Sequence, residues 1–389
     1  MPHFSSRATF SARPNPLTEA LSRRVAAGLP VLDLTESNPT RAGLAPGDAA
    51  LAAALTREGI GSYAPEPFGL ASARMAISAE LAAAGFAVPP AQVMLTASTS
   101  EAYAYLFRLL CDPGDSVLVP SPSYPLFDVL AQLEQVQLVP YPLAYDGTWH
   151  VDVAALRDAV GPRTRAVITV HPNNPTGSFL AKDELRALAA LGLPIVSDEV
   201  FAEYAFAPDP RRATSALEAH DALVFRLGGL SKACALPQLK LAWTAVAGPG
   251  ADDACARLEH LADAFLSPST PVQHALPSLL ALGAEVRAGI LARIATNRRV
   301  LARTVANGAA SLLHAEGGWY AVLRLPAVRD DEHWALTLLD EDGLLVQPGY
   351  YYDLHRGAHL VLSLICPEAA FAEGVARLAR RVSADAPSG

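Results

Sequence analysis

The feature that most constrains the fold of this 389-residue chain is a regular alternation of two kinds of segment between residues 93 and 248. Short runs rich in Val, Ile and Leu, such as 93–98 and 165–171, alternate with segments whose apolar residues recur at helical spacing, such as 101–110 and 183–191. Short apolar runs without a polar face are typical of strands buried on both sides, and the segments between them can serve as crossover helices. The sequence therefore predicts an α/β fold built on a mostly parallel sheet.

The order of elements changes beyond about residue 283. A long predicted helix at 284–313 is followed by mixed strands and helices that end with a helix at 367–382, a pattern that indicates a smaller α+β domain. The first 30 or so residues lack a clear pattern and are predicted to be loop-like. The predicted division is an N-terminal arm with a small-domain segment, a large domain and a small C-terminal domain, at 1–45, 46–283 and 284–389.

The composition limits which binding partners and which cellular location the protein is expected to have. The chain carries 39 acidic and 30 basic residues, and this acidic balance argues against nucleic acid as a partner. No secretory signal pattern opens the chain, and the uncharged stretch 264–284 contains too many polar residues and prolines for a good membrane span. The four cysteines form no CxxC pair, which argues against a zinc site or a disulfide scaffold. We expect a cytoplasmic enzyme with no membrane association and no metal site.

Lysine is rare in this sequence. Only three of the 30 basic residues are lysines, namely Lys182, Lys232 and Lys240. Arginine stays protonated, whereas a lysine amine can lose its proton and act as a nucleophile, so a lysine kept against an arginine bias is a candidate for amine chemistry. Lys182 lies at the start of an amphipathic helix and is predicted to be solvated, which leaves the other two.

Polar residues follow several of the predicted strands, at the edge where open α/β sheets bind ligands. The sequence contains no GxGxxG, GxxxxGK[ST], HExxH or GxSxG motif that would indicate a dinucleotide, phosphate-loop, zinc-protease or hydrolase site. The hydroxyl residues at 98–100 could equally form an ordinary helix N-cap, and Tyr124, which follows the next strand, could equally be a core residue. The residues that follow the strands are Thr99 and Ser100, Tyr124, Asn173 and Asn174 before Pro-Thr-Gly, Asp198, Ser231 with Lys232, and Lys240.

These motifs, in this order, resemble the class I/II aminotransferases. The sequence NNPTG at 173–177 is followed by Asp198-Glu199, by Ser231-Lys232 and by a basic residue, Lys240, eight positions later. The resemblance runs from about residue 31 to 380. It implies the fold of fold type I enzymes, with a mostly parallel seven-stranded sheet between helices in the large domain and a smaller α+β domain. It also implies pyridoxal 5′-phosphate (PLP) as the cofactor.

The resemblance assigns a role to each residue that would contact the cofactor ring. Lys232 would form the internal aldimine with PLP, and Asp198 would pair with the protonated pyridine nitrogen so that the ring can act as an electron sink. Asn174 would hydrogen-bond the 3′-oxygen of the ring and border the substrate, and Tyr124 would stack on the ring face. Lys232 and Asp198 are therefore the predicted catalytic residues.

The phosphate group of the cofactor has its own predicted set of contacts. The backbone amides of Thr99 and Ser100 would bind it together with Lys240, which occupies a position that is usually Arg in the family. Ser231 is a further predicted cofactor contact. Tyr63 matches a tyrosine that reaches the phosphate in the neighbouring subunit. The resemblance therefore implies a homodimer with shared sites.

Several positions depart from the family pattern. Phe201 stands where the family usually has a tyrosine, and Gly229 stands where it often has a serine. The N-terminal strand usually ends in a glycine that meets the substrate carboxylate, and here Ser37 and Asn38 occupy that end, so Asn38 is a predicted substrate contact. In the family, the tyrosine donates to the 3′-oxygen of the cofactor ring and the serine contacts the phosphate, so the resemblance implies that two of these departures concern the cofactor and one concerns the substrate.

The largest departure concerns the arginine that binds the substrate carboxylate in the family. Aligning HLVLSLICPE on its Ser and Pro-Glu places Val361 at that position. Either another cation takes over, with Arg41, Arg324, Arg356 and His359 as candidates, or the substrate lacks a carboxylate beside its amine.

The predicted reaction is transfer of an amino group between an amine or amino acid and a keto acid. The alternative is a PLP enzyme on the same scaffold that does not transaminate, such as a lyase, decarboxylase or cyclase. A regulator that borrowed the fold would need an added DNA-binding segment, for which residues 1–30 are too short.

Overall fold

The computed structural model describes residues 4–9 and 14–385, which form twelve α-helices and fourteen β-strands. The helices are α1 (Pro16–Ala26), α2 (Asp48–Leu55), α3 (Ala71–Ala83), α4 (Thr99–Leu110), α5 (Leu126–Glu134), α6 (Val153–Asp158), α7 (Lys182–Ala189), α8 (Leu230–Ala233), α9 (Ala251–Asp263), α10 (Thr270–Val305), α11 (Asp331–Asp342) and α12 (Glu368–Asp385). The strands are β1 (Leu32–Asp33), β2 (Val93–Thr96), β3 (Ser116–Ser121), β4 (Gln137–Tyr145), β5 (Trp149–Val151), β6 (Thr164–Val170), β7 (Ile195–Asp198), β8 (Val224–Gly229), β9 (Ala242–Ala247), β10 (Ser311–Leu312), β11 (Tyr320–Leu325), β12 (Leu344–Leu345), β13 (Gln347–Pro348) and β14 (Ala358–Ser363).

The large sheet has the strand order β2-β9-β8-β7-β6-β3-β4-β5. Strands β8, β7, β6, β3 and β4 are parallel to their neighbours in this run, so the prediction of a mostly parallel sheet is confirmed. The sheet has eight strands rather than the predicted seven, because the short strand β5 folds back antiparallel onto β4. Strand β9 is antiparallel to both of its neighbours, since only the four-residue helix α8 and a turn connect it to β8.

The central strands are largely apolar because both of their faces are covered. Leu118, Val167 and Ile195 belong to one apolar cluster, whereas their chain neighbours belong to a second cluster on the opposite side. Side chains alternate between the two faces along a strand, so two covered faces require continuous apolar runs rather than alternating ones. This burial explains the sequence pattern from which the sheet was predicted.

The second part of the structure has a four-stranded antiparallel sheet of order β10-β11-β14-β13. Strand β1 pairs in parallel with β12, so this N-terminal segment lies against the C-terminal part of the chain. The predicted loop over the first 30 residues is wrong for 16–26, which form α1. The side chain of Asn15 caps this helix by accepting from the Thr18 N–H, and Pro16 occupies the first helical position.

Helix α10 is longer than predicted and begins earlier in the chain. It starts at Thr270 and runs through the predicted boundary at 283–284, so the domain bounds stay predictions. Its length and apolar composition would suffice to cross a membrane, but such a helix is equally compatible with a protein core. Here it packs against α2, α3, α8 and α12, and its buried Gln273 and Asn297 donate hydrogen bonds to backbone oxygens.

Candidate active site

A cavity of about 380 Å³ lies where the strands of the large sheet end. Loops and helix starts after β2, β3, β6, β7 and β8 form one side of it, and residues from β11, β13 and the segment after β13 form the other. The cavity brings together eight residues predicted from the sequence: Thr99, Ser100, Tyr124, Asn174, Asp198, Ser231, Lys232 and Lys240.

Lys232 is held in place through its backbone. It lies in α8, directly after β8, and its carbonyl oxygen accepts a hydrogen bond of 2.6 Å from the Tyr204 hydroxyl. Arg287 donates to the next carbonyl, that of Ala233, at 2.9 Å. The preceding Gly228 has no room for a side chain, because a Cβ there would lie 2.5 Å from the Trp243 indole. These contacts fix the turn that directs the lysine side chain into the cavity.

The amine of Lys232 lies beside two aromatic rings that contact each other. Its Nζ is 4.8 Å from the ring centroid of Trp319 and 5.6 Å from that of Phe201. Burial lowers the pKa of Lys232 to about 8, while the charge of Asp198 acts in the opposite direction. At that pKa roughly a tenth of this amine is unprotonated at pH 7, and the unprotonated amine is the nucleophilic form.

Asp198 is the last residue of β7 and faces the same cavity. Its carboxylate accepts hydrogen bonds from the Tyr103 hydroxyl at 3.2 Å and from the Val200 N–H at 3.2 Å. Burial raises its pKa to about 6, although both hydrogen bonds act to lower it. A buried carboxylate with only neutral partners is suited to pair with a cationic group of a ligand.

The neighbouring Glu199 points away from the cavity and fixes the end of β7. Its buried carboxylate accepts from Arg226 Nε at 2.8 Å and from the hydroxyls of Ser197 and Ser215 at 2.9 Å. Arg226 lies on the adjacent strand β8, so this ion pair ties together the two strands that carry Asp198 and Lys232.

One end of the cavity has the properties of an anion site. Thr99 and Ser100 form the first turn of α4, where Ser98 caps the helix and accepts from the Glu101 N–H at 3.2 Å. The carboxylate of Glu101 turns back from the cavity and accepts from the Ala97 N–H and from a serine hydroxyl. A helix N-terminus, hydroxyl groups and the ammonium of Lys240 together favour a bound phosphate.

Asn174 lies in a turn that packing keeps rigid. Asn173 accepts a hydrogen bond of 3.0 Å from the Thr176 hydroxyl, and Gly177 has a φ of +68°. A Cβ on Gly177 would lie 2.4 Å from the Gly317 carbonyl oxygen, so only glycine is accommodated. Asn174 is buried at the cavity wall, and its side-chain oxygen has no hydrogen-bond partner within 4–9 and 14–385.

Two predicted site residues lie outside the cavity. The side chain of Tyr63 is exposed, with 79% of its surface accessible in the single chain. Asn38 accepts hydrogen bonds from the backbone and hydroxyl of Thr40, and its neighbour Ser37 lines the cavity instead. Their roles in binding stay predictions.

Sequence reasoning missed several residues that line the cavity. Tyr103 lies one helical turn into α4, and Tyr320, Gln347 and Tyr352 come from the part of the chain beyond 318. The Tyr352 hydroxyl donates to the Gln347 side-chain oxygen. The helical spacing of Tyr103 and the strand position of Tyr320 indicate only burial, so no local signal marked these residues as site residues.

The cavity residues fit the PLP that the sequence resemblance implies. Among the described residues, Asp198 forms no ion pair, as expected of a group that pairs with a ring nitrogen, and the unpaired amide oxygen of Asn174 marks a second polar point on the wall. Tyr124 is available beside them for stacking, and the anion site can hold a phosphate. Lys232, which also lines the cavity, would hold the cofactor covalently.

Comparison with known proteins also identifies this chain as an aminotransferase relative. The sequence matches the family described as aminotransferase class I and II over residues 30–378. It is 30% identical to an alanine aminotransferase of Mycobacterium bovis over 285 residues, a match that spans 69% of this chain and 66%, just under two thirds, of that enzyme. It is 31% identical to the glutamate-pyruvate aminotransferase of Escherichia coli over 219 residues, 54% of each chain.

The fold has solved counterparts of nearly equal length. An alanine aminotransferase from Pyrococcus furiosus superposes with a TM-score of 0.88 and 23% identity, covering 98% of this chain and 99% of that one. The structural likeness supports the fold, and the family match supports the sequence relationship. Both agree with a cavity whose residues fit PLP. The chain belongs to the class I and II aminotransferases, PLP-dependent enzymes that transfer amino groups.

Proposed function

We propose that this protein is a PLP-dependent aminotransferase that transfers an amino group from a small-molecule amine or amino acid to a keto acid, with Lys232 as its catalytic lysine. The observation that carries the proposal is the placement of Lys232 and Asp198 in one cavity whose far end is an anion site. A lysine amine with a pKa lowered to about 8 can exchange protons near neutral pH. The proposal rests on this constellation together with the family match.

Each residue has a defined task in this proposal. PLP, when bound, supplies an electron sink that stabilises negative charge at the amine-bearing carbon of the substrate. Asp198 holds a proton on the ring nitrogen through its carboxylate, and Tyr103 orients that carboxylate from 3.2 Å. Tyr124 and Asn174 orient the ring, and the Lys232 amine moves a proton at the substrate carbon.

Replacement of Lys232 tests the proposal directly. The Lys232→Ala protein is expected to lose the visible absorbance of the bound cofactor that borohydride otherwise fixes to the chain. A peptide map of the reduced wild-type protein should place the label on Lys232, with Lys182→Ala as the control because Lys182 starts α7, away from the cavity. A label on Lys182 or Lys240 contradicts the assignment.

Amino transfer itself is tested by product analysis. The wild-type protein, loaded with PLP, should convert an amine donor to its carbonyl product and should then aminate an added keto acid. Loss of carbon dioxide or elimination without amination of the keto acid contradicts transamination.

The assembly and the compartment are part of the proposal. A homodimer in which Tyr63 reaches the phosphate of the partner's cofactor accounts for the large exposure of this tyrosine in the single chain. A cytoplasmic location agrees with the four cysteines, none of which forms a disulfide in the described residues. Sedimentation of the active enzyme and cell fractionation test these two points.

A further inference from the structure

The cavity wall formed by the C-terminal part of the chain is polar but uncharged. Gln347, Tyr320 and Tyr352 line it, with Ser37 beside them from the N-terminal segment. Burial raises the pKa of Tyr320 to about 12 and the pKa of Tyr352 well above its ordinary value, so both hydroxyls stay neutral in the physiological range. Within the described part of the chain, the basic residues that line this cavity are Lys232 and Lys240 alone.

The cations that could have replaced an arginine at Val361 lie elsewhere. Arg41 pairs with Glu36 at 2.8 Å and does not line the cavity. Arg324, Arg356 and His359 line a separate cavity of about 490 Å³.

The strand register explains this separation. Tyr320 pairs with Ser363, and Arg324 pairs with His359, four residues further along the same two strands. Val361 lies between these pairs, so the basic pair is about 7 Å beyond it along the strand. The basic side chains therefore belong to the next cavity.

Gln347 lies beside Val361, the position to which the sequence resemblance assigns the carboxylate-binding arginine. It is the cross-strand partner of Val361, so the two side chains share one face of the sheet. Its side-chain oxygen accepts from Tyr352, which fixes the amide, and among the described residues its NH₂ group donates no hydrogen bond. The oxygen retains a second lone pair. Gln347 therefore presents a donor and an acceptor, but no charge.

We propose that Gln347 selects substrates that carry a neutral carbonyl group, an amide or ester, on the amine-bearing carbon, in preference to a free carboxylate. This inference rests on the proposed aminotransferase function and specifies its amino donor. A carboxylate moved from water to this wall would lose its hydration without gaining a cation, whereas an amide can exchange hydrogen bonds with Gln347 at little cost.

The test compares two donors that differ only in this group, L-alaninamide and L-alanine. With the PLP-loaded enzyme, the rate of the absorbance change during a single half-reaction is measured against donor concentration. The wild type is expected to use the amide at least tenfold more efficiently than the acid. Gln347→Leu should reduce this preference about three- to tenfold, the range for loss of a neutral hydrogen bond. Gln347→Arg should shift the preference toward L-alanine by tenfold or more, because it adds a bidentate cation.

The matched control is Gln137→Leu, the same substitution at an exposed strand position that does not line the cavity. It should leave the preference unchanged, and circular dichroism should show that all three variants fold. Equal or better use of L-alanine by the wild type overturns the inference, as does a Gln347→Leu variant whose preference matches that of the wild type. If neither these donors nor other primary amines change the absorbance, the proposed function fails rather than the inference about Gln347.

Discussion

The Nζ of Lys232 lies 4.8 Å from the centroid of the buried Trp319 indole, and this contact sets two opposing influences on the amine. The electron-rich ring face favours the ammonium form, whereas the apolar surroundings favour the neutral amine. Burial lowers the pKa of Lys232 to about 8, against the opposing charge of Asp198. Phe201 places a second ring near the amine. Unlike the tyrosine usual at this position in the family, it has no hydroxyl that could donate a hydrogen bond.

Substitution of Trp319 separates these two influences. Trp319→Leu keeps the site apolar but removes the ring, so the pKa of Lys232 is expected to fall further, by about 0.4 to 1.5 pH units. The pH dependence of Lys232 acetylation in the cofactor-free protein, followed by mass spectrometry, measures this pKa. Phe201→Leu should give a smaller fall, since that ring centroid is 5.6 Å away. A pKa that rises in Trp319→Leu would show that the indole acts mainly by excluding water.

The charge of Asp198 is predicted to cost stability when no cofactor is bound. Its folded-state pKa of about 6 exceeds the ordinary value of 3.8, so the folded protein binds more protons than the unfolded chain between about pH 4 and pH 6. Stability contributed by this group is therefore lost as the pH rises through that range. Cofactor-free Asp198→Asn should be more stable than the wild type at pH 8, by at most about 3 kcal/mol, and equally stable below pH 4. Urea denaturation at both pH values measures the difference.

The same substitution is expected to have the opposite effect on catalysis. An amide cannot hold a proton on the ring nitrogen, so Asp198→Asn should keep some PLP but lose nearly all turnover. Cofactor content from absorbance and turnover with a saturating donor are measured on one preparation. Wild-type turnover in this variant contradicts the role of Asp198, whatever its stability.

The ion pair between Glu199 and Arg226 is predicted to matter for folding. Arg226→Leu would leave a buried carboxylate without its cation, which costs about 3–5 kcal/mol in comparable sites. The double variant Glu199→Gln with Arg226→Leu should recover part of this loss, because no uncompensated charge remains. Arg211→Leu is the matched control, since the Arg211 side chain is exposed in its pair with Asp209 and such a pair is worth about 1 kcal/mol or less. Similar losses in Arg226→Leu and Arg211→Leu would contradict the prediction.

The strand-end residues could be predicted from the sequence because their positions follow from one rule. Parallel strands end at the same edge of a sheet, so residues after separate strands, such as Thr99, Asn174 and Asp198, meet there. The scarcity of lysine then singled out Lys232 and Lys240, and both line the cavity. These inferences needed no knowledge of how distant segments pack.

The residues that complete the cavity could not be predicted in this way. Gln347 and Tyr352 reach it only through the packing of the C-terminal part against the large sheet, where the Ser123 N–H donates to the Tyr352 carbonyl oxygen at 3.0 Å. The sequence predicts only that Trp319 is a buried aromatic residue, because its contact with Lys232 depends on the same packing. The direction of β9 was likewise hidden, because an apolar run does not encode whether a strand is parallel.

The prediction for Tyr63 concerns the assembly. Its hydroxyl lies outside the cavity of its own chain, so its predicted phosphate contact requires a second subunit. Tyr63→Phe and Lys232→Ala homodimers should each have low activity, but refolding them together forms hybrids in which one site has both native residues. Random mixing of equal amounts makes half of the dimers hybrid, so about a quarter of the wild-type activity is expected. Mixing Asp198→Asn with Lys232→Ala should recover nothing, because both residues belong to the same chain's site. An active monomer in sedimentation, or no recovery in the first mixture, would show that Tyr63 does not act across an interface.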